Sequence, residues 1–269
     1  SGKVVLTLSM LSIALCTTGA FAADSIGEPG RSAGKKNPLN NVYFGEQHLH
    51  TQNSPDAYAM GTRNTPNDAY NFCKGKAVKK NTTGEMVQKK TPYDWCAVTD
   101  HAESMGVMPQ LSDPKSKLMT KHKDNEVIQL ILSGDPKKGD QAFAMMAKQL
   151  TTNNPDPAFN DPEIISSVWR KHVETTNKHY EPGKFTTLIA FEWTSIPANQ
   201  NLHRNVFFRD DKGPPAPFSA LDSDRPEDLW TFLQSQRDAG RDTFSISHNG
   251  NLSNGLMYAP RDSAGTPID

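Results

Sequence analysis

His48 and His50 flank a leucine as His-Leu-His, and Asp56 follows shortly after. His101 closes a Thr-Asp-His, Glu192 stands in Phe-Glu-Trp, and His248 in Ser-His-Asn. Imidazole with carboxylate is a donor set suited to zinc, manganese or iron. Side chains two apart on an extended chain point to one face. His48 and His50 can therefore grip one ion or two neighbouring ions. Most of these positions lie where a short apolar run gives way to polar residues. Ligands gathered at strand ends point to hydrolytic metal chemistry.

Each position also has a plainer reading. A His-x-His alone is common. Asp56 follows Pro55 and suits a turn; as a ligand it would bridge or complete a second ion. Asp100 and His101 point to opposite sides of a strand, so Asp100 orients a ligand from behind or caps a helix. Glu192 ends an apolar run, where a lone buried carboxylate is expensive. His203 begins a strand instead of ending one and fits the pattern less well. The chain has eight histidines; the other three, His122, His172 and His179, sit in Lys-rich helical stretches and read as surface or helix-face residues.

The elements that must carry these groups can be read from period and punctuation. Strands are expected over 41–46, 93–99, 185–191, 204–208 and 243–247. Thr65 before Pro66 opens a helix through about 74. Two helical patterns cover 118–132 and 140–150, broken at Gly134-Asp135-Pro136. Asp161-Pro162 starts a long helix to about 179 with an apolar stripe from Ile164 to Val173. Pro226 starts another that Gly240 ends. Strands alternating with helices argue for α/β with a parallel sheet, as a barrel or an open doubly wound sheet.

The chain has 269 residues and a formal net charge of −1. Such a balance gives no general pull toward nucleic acid or an anionic membrane. Lys3, a short apolar run and Ala20-Phe21-Ala22 read as a secretory signal peptide over 1–23. Residues 24–40 read as a flexible leader, and 41–269 as the functional domain. The expected address is a bacterial periplasm or the exterior. Leu15 before Cys16 is too large for the usual lipid-anchor motif. The mature chain keeps Cys73 and Cys96, which can pair in an oxidising compartment or remain buried thiols. Ser1 and the irregular end at Asp269 read as cuts, with the C-terminus expected to be truncated.

Taken in order, His-x-His, a carboxylate, Thr-Asp-His, Glu and two separated His resemble the PHP (polymerase and histidinol phosphatase) superfamily. More narrowly, 43–51, 97–103, 191–194 and 247–251 resemble the domain-of-unknown-function family numbered 3604, over about 41 to the end. The resemblance implies a distorted (β/α)7 TIM-like barrel of the PHP type, incomplete at its C-terminus here. It also implies two or three divalent ions (Zn, Mn or Fe) and phosphoester cleavage. Carried over by motif, the ligands are His48, His50, Asp56, His101, Glu192, His203 and His248. The superfamily's closing Asp-x-His has no counterpart after His248.

The expected activity is that of an exported metal-dependent hydrolase, most simply a phosphoesterase. A hydroxide bridging the metals would be the nucleophile, acting on a small-molecule phosphorylated ester. Asp56, Asp100 and Arg204 take the catalytic roles. Arg204, with Arg63, offers bidentate donors to a phosphate, against the plain reading of solvated arginines. An amidohydrolase-type C–N or C–O hydrolase shares the metal logic, but no Lys ends an obvious strand to bridge its ions. A non-catalytic exported metal-binding domain is the third reading. Neither a nucleic-acid partner nor a membrane after signal cleavage is expected.

Overall fold

The computed structural model describes residues 41–267 apart from 153 and 263. The expected signal peptide and leader lie outside the described residues. Strand β1 is short, Gly45–Glu46, and helices α1 (Pro55–Ala59) and α2 (Pro66–Cys73) follow it. Thr65 and Asp68 form a reciprocal capping box at α2, satisfying two otherwise orphaned N–H groups. Strands β2 (Val78–Lys79) and β3 (Met86–Val87) make a small antiparallel pair. Strand β4 is Trp95–Ala97.

The expected helix over 118–132 divides into α3 (Lys117–His122) and α4 (Glu126–Leu132). Asn125 divides them because its side chain accepts from Ile128 N–H and caps α4. Helix α5 runs Pro136–Thr152 and α6 runs Pro162–His179. Asp161 caps α6 by accepting from the N–H groups of Glu163 and Ile164. Strand β5 (Thr186–Trp193), strand β6 (Arg204–Phe208), helix α7 (Pro226–Asp238) and strand β7 (Thr243–Ser247) complete the regular elements.

The expected (β/α)7 TIM-like barrel is not the fold. The main sheet has five strands in the order β1-β4-β5-β6-β7. It curls into a half-barrel within a mixed α/β architecture. Strands β1, β4 and β5 are parallel, whereas β6 is antiparallel to β5 and β7 to β6. The reason lies in residues 194–203. They hold only a short 3-10 turn, Pro197–Asn199, and parallel strands need a crossover of a dozen residues or more. The chain therefore turns back beside β5. Glu192, expected just after the strand, lies inside it and pairs with Asn205.

Alternation along the strands divides the sheet into two faces. Ile189, Phe191 and Trp193 of β5, with Val206 and Phe208 of β6, pack against Trp169 of α6 and Leu229 of α7 in the largest buried cluster. Ala97, Ala190 and Phe207 form a small apolar patch on the opposite face. Glu192 has the same parity as Ala190 and so projects on that face. A disulfide joins Cys73 to Cys96 and ties α2 to β4. Among the described residues no helix is long and apolar enough to cross a membrane.

His172 and His179 are not surface residues. Helix α6 lies so closely on the sheet and on α2 that both are buried. His172 stacks on Trp169, and burial pushes its pKa down. Burial, helped by Lys74, Lys76 and Lys178, pushes His179 down to about 4. His122 instead meets the Asp161 carboxylate at 2.9 Å.

Two outcomes test this packing. The Cys73–Cys96 bond closes a separation of 23 residues. Replacing both cysteines by Ala should therefore cost about 3 kcal/mol, read as a urea midpoint that wild type reaches only under reductant. Below the ordinary value of 6.5, unfolded His172 takes up a proton that the folded chain refuses. Stability should then fall as pH drops through that value. His172→Leu should fall less steeply in urea titrations across the same range.

Candidate metal centre

Backbone pairing brings the site residues together two at a time. His101 forms a parallel bridge with Glu192. Glu192 N–H donates to the Asp100 carbonyl, and Ala102 N–H to the Glu192 carbonyl. His248 N–H donates to the His203 carbonyl at 3.1 Å. The 48–50 segment runs beside Thr99, whose N–H donates to the Leu49 carbonyl at 2.8 Å. Leu49 packs into the cluster of Tyr70 and Val98, so His48 and His50 share the opposite side. His203 begins β6 yet joins the others. Because β6 is antiparallel, its start lies at the same rim as the ends of β4, β5 and β7.

Glu192 is the hub, with 1% of its side chain exposed. Its Oε2 lies 3.3 Å from His48 Nε2, 3.0 Å from His50 Nε2 and 3.4 Å from His101 Nδ1. Its Oε1 lies 3.1 Å from His203 Nδ1. His248 closes the ring, with its centroid 5.0 Å from that of His48 and 5.4 Å from that of His203. Asp56 Oδ2 is 3.4 Å from His101 Nε2. All seven expected ligands thus lie in one cluster.

Charges follow the geometry. Burial would raise the Glu192 carboxyl, but hydrogen bonds from His203 and His48 outweigh it and hold the group far below the usual carboxylate range. Burial likewise acts to raise Asp56, yet the hydrogen bond and charge of His101 bring it down to about 2. Burial acts to lower His101, while Asp56 and Glu192 lift it to about 9. Carboxylates and imidazoles in the cluster each stabilise the other's charged form.

Donor accounting fixes one ring. Asp100 is fully buried and accepts from Thr51 N–H at 2.6 Å, Thr51 Oγ1 at 2.7 Å and Ser54 Oγ at 2.9 Å. A carboxylate only accepts, so the Ser54 hydroxyl spends its proton there. Ser54 Oγ then accepts from His101 N–H at 3.0 Å and from His50 Nδ1 at 2.7 Å. In the neutral ring, His50 Nε2 carries a lone pair. That lone pair faces Glu192 Oε2 at 3.0 Å and His48 Nε2 at 3.0 Å. Acceptors converging in this way call for a cation or shared protons.

His203 Nε2 is buried with no hydrogen-bond partner. Two groups have ligand atoms within 4.8 Å of one another: His48, Glu192 and His248, and His50, His101 and Glu192. Ligand atoms on a tetrahedral zinc lie roughly 3.3 Å apart, which the Glu192 spacings match. Glu192 belongs to both groups, and each group could hold a metal ion.

Each of Arg204 and Arg63, expected to clamp phosphate, spends a guanidinium nitrogen on backbone carbonyls. Arg204 Nη1 donates to the carbonyls of Leu202 and His203, which pins the start of β6. Arg63 Nη1 donates to the carbonyls of Tyr58 and Thr62, and its guanidinium lies over the Tyr58 ring. Four supporting residues were not singled out from the sequence as site residues, although Glu103 and Thr194 close the 97–103 and 191–194 motifs. Ser54 links Asp100 to His50. Thr194 Oγ1 meets His101 Nδ1. Asn201 accepts from His203 N–H and approaches His248 Nδ1. Glu103, 3% exposed, accepts from the N–H groups of Thr194 and Ala220.

The model of a family described as protein of unknown function (DUF3604) matches residues 37–269. The chain belongs to the DUF3604 family. No curated protein and no solved structure matches it. The His50, Asp56, His101 and Glu192 geometry is therefore the direct guide to what this DUF3604 chain does.

Asp100→Asn turns an amide toward three donors. It should cost about 2 kcal/mol of stability and weaken zinc or manganese binding by roughly 10- to 100-fold. Urea melts and metal titration read the two effects, and wild-type metal affinity in this variant would refute the Asp100–Ser54–His50 relay.

Proposed function

We propose that this DUF3604 chain is a metal-dependent hydrolase, most simply a phosphoesterase, with a centre of the PHP superfamily type. The observation that carries the reading is the His50 lone pair. Ser54 and Asp100 turn it toward a buried carboxylate and a second imidazole, an arrangement that suits a cation.

His48, Glu192 and His248 would hold one ion, and His50, His101 and Glu192 the other. Divalent ions there would supply an activated water at neutral pH and draw charge from the leaving oxygen. The chain's own residues do the rest. Glu192 offsets positive charge at the centre of the cluster. Asp56, with 45% of its side chain exposed, stays ionised at neutral pH. It can accept a hydrogen bond from an entering water at Oδ2, which orients that water. Thr194 holds the His101 ring from behind. The Cys73–Cys96 disulfide supports an exported address, since such bonds persist in oxidising compartments.

Elemental analysis of the purified protein, then a screen of 4-nitrophenyl phosphates, esters and amides with added manganese or zinc, tests the reading. Hydrolysis of the phosphates is expected. His50→Ala should lose most bound metal. Its turnover should fall by more than the roughly 10- to 100-fold typical of a supporting residue. Unchanged turnover in that variant would defeat the mechanism.

A further inference from the structure

Beside the imidazole cluster lies a cavity of about 480 Å³, within the roughly 300–1,000 Å³ range of small-molecule sites. Asp56, His101 and His203 of the cluster line it. The accessible lining is mostly apolar, with Met108, Ile131, Phe143, Met146, Ile196 and Leu221 its large side chains, and Ser104, Gln149, Thr151, Thr194 and Asn199 add a few polar groups.

Helix α5 supplies the largest part of that wall. Positions 139, 142, 143, 146 and 147 line the cavity. They are spaced by three and four residues, so one face of the helix is turned to it. At Gly139 a Cβ would meet nothing within 4 Å, so the first turn leaves open space. Phe143 is 61% exposed. A lone exposed Phe is ordinary, but here it lines a mostly apolar cavity that also holds ionisable groups, which is the general build of a ligand site. With most of the accessible lining apolar, a sugar would find few partners for its hydroxyls, whereas an alkyl or aryl group gains by burial.

We propose that the cavity seats a non-polar alkyl or aryl group of the substrate. The substrate class is then a phosphoester of a hydrophobic alcohol, not a sugar phosphate. The proposal rests on the hydrolase reading for the bond that is cleaved. Hydrolysis forms one P–O bond from water and breaks the P–O bond to an alcohol, which leaves carrying one of the water's protons.

The test uses methyl, butyl and octyl 4-nitrophenyl phosphodiesters with the manganese-loaded protein, and calorimetric binding of methyl- and octylphosphonic acid. Over the first several methylenes, kcat/KM should rise by up to about fourfold for each one buried. Octylphosphonic acid should bind more tightly than its methyl counterpart, and Phe143→Glu should collapse both preferences. A flat series with active enzyme overturns the proposal and leaves the hydrolase reading standing. If no diester is cleaved, the phosphonic acids still decide. Tighter, Phe143-dependent octyl binding supports the cavity while the hydrolase reading fails, and equal binding overturns the proposal. Should Phe143→Glu dissociate an oligomer without changing the octyl preference, the cavity is a subunit contact and the proposal falls.

Discussion

A buried carboxylate ringed by imidazoles organises this protein. Removing Glu192 from water costs several kcal/mol unless partners replace its hydration. His48, His50, His101 and His203 do so from three separate stretches of chain. Those stretches must meet at one point, and the sheet is what makes them meet. The bridge between His101 and Glu192 extends the β4–β5 ladder. The bond from His248 to the His203 carbonyl extends the β6–β7 ladder. Hydrogen bonds that close the sheet therefore also set the spacing of the cluster.

The reversal after β5 is the second constraint. An all-parallel sheet would bring His203 to the far rim, because β6 would then start there. The short connection at 194–203 turns β6 back instead, and His203 arrives beside Glu192. Arg204 secures the turn by donating to the carbonyls of Leu202 and His203. Its charge is used to fix backbone, and its loss would loosen a ligand without removing one. The half-barrel thus gathers the expected ligands at one rim.

Support behind the ligands is as specific as the ligands. Ser54 has one proton to give, and Asp100 takes it; the orientation of the His50 lone pair follows from that single choice. On the other side of the cluster, α5 turns small and apolar residues toward the cavity.

Much of this was legible in the linear order. Capping chemistry at Thr65, Asn125 and Asp161 is local, so helix starts could be read or, at Asn125, understood afterwards. Short apolar runs marked β5, β6 and β7; residue type and position nominated His48, His50, Asp56, His101, Glu192 and His248, and the family resemblance added His203. Strand direction was not legible, since nothing within β6 states which way its neighbour runs. Nor was the burial of His172, which depends on how closely α6 lies on the sheet, or the use of Arg204, whose carbonyl partners exist only once β6 turns. Helix caps and alternation arise from neighbours within a few residues. Sheet order and the aim of a lone pair arise from contacts such as His48 with Glu192, 144 residues apart, and those exist only in the folded chain.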